Sequence, residues 1–268
     1  MNKRVCSLYA VPAIILFLAS QWQLQAQTSP AFTAVSADYF GCDPTVRSTA
    51  SDSASCLPKT MYTKYVDPNI GTSMVTSQNP PTPTNTLITK TDGTQVQALH
   101  DISAYYVLKL KVNPNPPQSD INCVRAGTTL LGKEAILGIE TYKYQQGEVE
   151  QGSAVSNGVD GSIVWLAPSL NCFSLRGEFH FKGSPTTFQL TSNVTLGTPP
   201  ASVFDPPSGF VEMSPMEANH RISVLKMRSF NPAMTPEEAE AAWLKTSATN
   251  VGLQRTEAVW QKQHEATH

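Results

Sequence analysis

The last five residues, His264-Glu265-Ala266-Thr267-His268, spell the His-Glu-x-x-His pattern of zinc peptidases. On a helix that spacing puts both histidines on one face with the glutamate beside them as general base. The pattern falls on the last turn of a helix, which frays, and it has no third ligand to complete a site, so a chance match is expected, with adventitious metal binding at most. His180 beside Glu178 and His100 beside Asp101 could each form a proton-transfer pair, but isolated surface histidines far outnumber catalytic ones. No serine stands in Gly-x-Ser-x-Gly, and no glycine-rich phosphate loop precedes a helix. A hydrolase or metalloenzyme therefore remains only an alternative. The expectation is a non-enzymatic chain with no catalytic residue, no metal and no cofactor.

A binding surface is easier to read. From Phe173 the apolar Phe173, Leu175, Phe179 and Phe181 alternate with Ser174, Arg176, Glu178, His180 and Lys182, and after Gly183-Ser184-Pro185 Phe188, Leu190, Val194 and Leu196 continue the alternation. Period two is the signature of strands with one apolar face. Gly177, on that face, marks a bend or bulge. Phe173, Leu175, Phe179, Phe181, Phe188 and Leu190 are the candidate ligand-binding residues. Their alternative role is core packing beneath a helix, and an open groove there would suit an acyl chain or a partner's hydrophobic segment.

A helix able to cover that face begins at Thr235-Pro236-Glu237-Glu238, where Thr235 caps, Pro236 fills the first turn and Glu238 closes a capping box. Ala239, Ala242, Trp243 and Leu244 supply its apolar stripe. A second helical stretch with Leu253, Val259 and Trp260 follows a break near residues 250–252. Upstream, Leu87 to Thr91 and Thr94 to Leu99 flank Asp92-Gly93, a strong hairpin signal. Ile102 to Val112 reads as a half-buried strand that Asn113-Pro114-Asn115-Pro116-Pro117 breaks. Thr128 to Leu131 and Ile136 to Tyr144 read as a pair around Gly132-Lys133, and Ser162 to Ala167 as one more strand. Strands followed by helices describe an α+β fold.

Lys3 and Arg4 precede an apolar run from Val5 to Leu18 and then a polar stretch ending at Ala26, the order of a secretory signal peptide. The run is shorter than a membrane-spanning helix requires, and no later segment approaches that length. Of the five cysteines, Cys6 lies in this leader. Cys42, Cys56, Cys123 and Cys172 remain, an even number that suits two disulfides in an exported chain. Three pairings are open; Cys42 with Cys56 and Cys123 with Cys172 is preferred, since the first pair brackets one Ser- and Asp-rich segment and the second a run of strands. No Cys or His spacing matches a zinc site.

The 268 residues carry 19 Lys and Arg against 21 Asp and Glu, a net charge of −2. No polybasic run marks a nucleic-acid or membrane-surface partner. Twenty prolines and 15 glycines favour short extended segments joined by turns. The expected organisation is a signal peptide over 1–26, a Ser/Thr-rich cysteine-bearing arm over 27–60, an antiparallel sheet domain over 61–230 and a helical segment over 231–268. Within it, Thr72 to Thr86, with its prolines, reads as a loop that cannot join a central strand. Asn193-Val194-Thr195 fits a glycosylation acceptor but falls inside an expected strand.

From about Asp92 to Met213 the chain resembles a group of exported bacterial proteins. The shared features are the hairpin, the strand Gly138-Ile139-Glu140-Thr141-Tyr142-Lys143-Tyr144, the element Trp165, Pro168 and Leu170, and the closing set Gly197, Pro199, Phe204, Pro207, Gly209 and Phe210. These proteins look like relatives of the periplasmic lipoprotein-carrier architecture. That resemblance implies a strongly curved antiparallel half-barrel with helices on its concave side. Its motifs are turns and core aromatics, so no catalytic residue transfers. Together these readings describe an exported protein of the periplasm or medium that acts in binding or structure. Carriage of a lipid or acylated partner is the sharper alternative.

Overall fold

A computed structural model of the protein describes residues 30–45, 56–78, 82–110, 123–124, 127–146, 159–181 and 185–265. The expected leader, the middle of the arm, the Asn113 to Pro117 break, the Gly183-Ser184 turn and His268 lie outside those residues. Among the described residues there are twelve strands: β1 Phe32–Phe40, β2 Thr60–Asp67, β3 Gly71–Gln78, β4 Pro83–Lys90, β5 Thr94–Leu99, β6 Ala104–Lys109, β7 Thr128–Ile136, β8 Ile139–Gln146, β9 Val159–Ala167, β10 Phe173–Phe181, β11 Thr187–Leu196 and β12 Val211–Glu212. Helices α1 Pro215–Phe230, α2 Pro236–Ser247 and α3 Val251–Glu265 complete the described chain. The strands form one open, curved sheet in the order β12-β6-β5-β4-β3-β2-β1-β11-β10-β9-β8-β7. Every pairing is antiparallel except the two-residue contact of β12 with β6. The expected α+β class with a curved antiparallel sheet and a C-terminal helix is the observed one.

Within the arm expected over 27–60, Phe32–Phe40 is instead a central strand of the sheet. β1 pairs with β2 on one side and β11 on the other, so it joins the meander β2 to β6 to the meander β7 to β11. Small residues hid this strand, because Ala34, Ser36 and Ala37 carry little of the hydrophobic signal that marks a core element. Flanked on both sides, they are buried all the same, with Phe32 and Ala34 each 1% exposed. The Ser36 and Thr191 hydroxyls bond across the sheet at 2.9 Å, which keeps this polar pair satisfied.

Two other expectations move. Gly71–Gln78 is the central strand β3, not a loop, because the prolines fall after it, and Pro83 opens β4, where its missing N–H costs little. Gly71, at φ 140°, is tied to its place: a Cβ there would stand 2.1 Å from the Thr89 carbonyl oxygen. The turn expected at Gly132-Lys133 lies at Leu137-Gly138, both with positive φ, and residues 128–136 run as one strand with a register shift between Leu130 and Gly132. The Asp92-Gly93 hairpin forms where expected, with Gly93 N–H donating to the Lys90 carbonyl at 3.1 Å.

The helices do cover an apolar face, but at the β6 end of the sheet. α1 and α3 pack on β6, where Ala104, Met213 and Ala218 form a core with Leu99, Ile102 and Tyr106 around them. Phe173 and Leu175, on the other half of the sheet, pack instead with Phe32, Ala34, Ala167 and Leu170, with Ile136 and Ile139 against them. α1, absent from the sequence reading, begins at the cap Ser214, whose hydroxyl accepts from Glu217 N–H, with Pro215 in its first turn. α2 has the expected capping box of Thr235 and Glu238.

Candidate functional site

The register of β10 on β11 decides the fate of the six candidate residues. Glu178 pairs with Phe188 and Arg176 with Leu190, whereas Phe179 pairs with Thr187 and Gly177 with Gln189. Directly paired residues share a face, so Phe188 and Leu190 lie on the Arg176 and Glu178 face, opposite Phe179. Phe173 and Leu175 join the core around Phe32. Phe179 joins a second one, made of Cys123, Tyr144, Val164 and Leu166, and Phe181 sits half-buried at the end of β10. The six therefore do not line one groove. Alternation within each strand was legible, but the offset between the strands is a property of their pairing and of neither strand alone. Gly177 is where it is because the Phe179 ring lies over it, 2.6 Å from where a Cβ would stand.

The cysteines pair as preferred, Cys42 with Cys56 and Cys123 with Cys172. The first bridge ties the turn after β1 to the chain before β2, and Asp43 of that turn reaches β10, where it and Glu178 both accept from Arg176, at 2.8 and 2.9 Å. Arg176 and Lys143 lie 4.7 Å from the Trp165 ring centre. The second bridge stands beside a shallow pocket of about 350 Å³ lined by Val124, Thr128, Leu130, Lys133, Tyr142 and Tyr144, with the Lys133 ammonium over the Tyr142 ring.

The larger opening, about 650 Å³, lies between α1 and the 3-10 turn His100–Ile102, and sequence reasoning missed it with its helix. Ile102, Val224 and Leu225 give it apolar walls, and Asp101, His220, Arg221, Arg228 and Ser229 add polar groups. Arg221, Leu225 and Arg228 recur at helical spacing, so one stripe of α1 carries apolar surface between two guanidinium groups. The only signal available was the Ser214-Pro215 start followed by Ile222, Val224, Leu225 and Met227.

The surrounding elements fix this stripe firmly. β12 runs beside β6, with Val211 N–H donating to the Ser103 carbonyl and Met213 N–H to that of Tyr105, and so delivers α1 to the sheet end. Glu257 of α3, 9% exposed, accepts from Met216 N–H at 2.7 Å, placing a carboxylate at the positive end of α1. Trp243 of α2 donates from Nε1 to Asn219 at 3.1 Å, and its ring lies against His220, which pairs with Glu240. Arg221 pairs with Glu217, whereas Arg228 has no acidic partner among the described residues. His100, whose Nε2 shares a 2.8 Å hydrogen bond with Thr86, holds the 3-10 turn, and burial keeps its pKa below the ordinary 6.5.

Of the C-terminal motif, only His264 and Glu265 fall among the described residues. His264 stacks on Trp260 and lies 3.3 Å from Glu212, and Glu265 is exposed. Just before them, Gln263 accepts from Lys109 N–H at 2.9 Å and donates to the Lys109 carbonyl at 2.6 Å, tying α3 to β6. No group of three metal-ligating side chains occurs among the described residues. Nor is any described helix long and apolar enough to cross a membrane.

No family model and no curated protein matches the chain. Solved structures are similar to it at low identity. An uncharacterized conserved protein from Thermus thermophilus is 10% identical over 70% of this chain and 92% of its own, with a TM-score of 0.44. A DUF1329 family protein from Desulfovibrio piger is 10% identical over 68% and 92%, at 0.30. A LolA superfamily protein from Nitrosomonas europaea is 12% identical over 66% and 90%, at 0.29.

Proposed function

We propose that the protein is a non-enzymatic binding module exported to the periplasm or medium, and that the cleft between α1 and the His100–Ile102 turn takes an apolar chain carrying an anionic head. The observation that carries this reading is the composition of the cleft. Ile102, Val224 and Leu225 offer hydrocarbon contact, while Arg228, free of an acidic partner among the described residues, and Arg221 offer guanidinium groups to a carboxylate or phosphate. A volume of about 650 Å³ falls within the roughly 300–1,000 Å³ of small-molecule sites. Two disulfides suit an oxidising compartment.

The test starts with native purification, solvent extraction and mass spectrometry of what co-purifies. The stripped protein is then titrated with a fluorescent fatty acid. Saturable binding is expected, abolished by Leu225→Asp and weakened by Arg228→Gln, while Phe188→Ala on the far half of the sheet leaves it unchanged. Absence of saturable binding by the stripped, folded protein would refute the proposal.

A further inference from the structure

Lys64 stands in mid-β2, paired with Ala34 on β1 and Met74 on β3. Its ammonium lies 5.2 Å from the centre of the Phe173 ring. Ala34 belongs to the buried cluster of Phe32, Leu170 and Leu175, against which Phe173 and Val66 pack. Asp38, four residues along β1 from Ala34, is engaged by the Tyr62 hydroxyl and the Gln189 amide, and Asp67, three residues along β2, accepts from Asn69 N–H. Lys64 has no ion pair among the described residues.

The other described lysines differ. Lys90, Lys109 and Lys133 pair with Asp205, Asp92 and Glu140, and Lys59, Lys226, Lys245 and Lys262 are exposed. Lys143 is half-buried but stacks on Trp165. An ammonium taken partly out of water with no counter-charge gains by losing its proton, and burial pushes Lys64 below the ordinary lysine pKa. The aromatic contact offsets part of that tendency without reversing it. Since Lys64 is only half-buried, a reagent can still reach it.

We infer that Lys64 is a selectively nucleophilic amine that forms an imine with an aldehyde borne on an apolar molecule, its hydrocarbon part lying against Phe173. The free amine attacks the carbonyl carbon, a C=N bond replaces the C=O bond, and the carbonyl oxygen leaves as water with the two amine hydrogens. The product lowers the charge at a site that solvates charge poorly, while its hydrocarbon meets hydrocarbon neighbours. This inference is independent of the α1 cleft.

The experiment is limited treatment of the folded protein with hexanal and cyanoborohydride near neutral pH, which reduces each imine to a stable secondary amine, followed by peptide mass mapping. Lys64 is expected to be labelled several-fold ahead of Lys109, Lys143 and Lys226, and this order should vanish in urea. Met74→Glu, which places a carboxylate directly across from Lys64, should slow its labelling to the level of Lys109. Labelling that follows exposure in the native protein, or a Lys64 preference that survives in urea, would overturn the inference. Should Met74→Glu fail to fold, the native and urea comparison still decides.

Discussion

The two disulfides close loops of very different length, 14 residues of separation for Cys42–Cys56 and 49 for Cys123–Cys172. Restricting the unfolded chain by cross-links of these lengths corresponds to about 3 and about 4 kcal/mol. Cys123 is also 1% exposed and packs with Tyr144, Val164 and Leu166, so alanine there adds a small packing loss. Domain stabilities run at roughly 5 to 15 kcal/mol, which makes either loss a large fraction of the total. The comparison is between the double variants Cys42→Ala/Cys56→Ala and Cys123→Ala/Cys172→Ala, each unfolded in urea and followed by far-UV circular dichroism. Intact mass establishes that the remaining bridge is oxidised. The second variant is expected to lose about 1 kcal/mol more than the first. Equal losses, or a greater loss from the short loop, would refute the reasoning, because neither loop closure nor packing at Cys123 could then be contributing as argued.

Gly71→Ala should destabilise by more than about 2 kcal/mol in the same assay, since the new Cβ meets backbone at Thr89 and no side-chain rotation relieves it; a neutral effect would contradict the β3–β4 approach. His100, neutral and held below its ordinary pKa of 6.5, binds fewer protons when folded than when unfolded, so its contribution is complete above 6.5 and drains as pH falls through the lowered folded value. His100→Gln should therefore flatten the stability decline between about pH 7 and 5, which urea titrations at each pH measure. Gln263→Ala should remove both hydrogen bonds to Lys109 and speed hydrogen exchange of the Lys109 amide while leaving that of Val96 unchanged.

Much of this protein was readable from local chemistry. The Asp92-Gly93 hairpin, the capping box at Thr235 and the alternating strands through Phe173 to Phe181 are decided by φ preferences and periodicity within a few residues, and each formed where expected. The even number of cysteines after the expected leader likewise implied two bridges, and the structure has the preferred pairing of the three that were open. What depended on tertiary structure was every relation between distant segments. β1, rich in small and polar residues, is a centre only because β2 and β11 flank it. The apolar residues of β10 and β11 divide between two faces because a strand's side chains alternate with period two, so a one-residue offset in pairing reverses which ones meet. The cleft beside α1 and the Lys64 ammonium, unpaired among the described residues, belong to the same class, for both arise where side chains far apart in sequence are brought together, and no local pattern of residues encodes that distance.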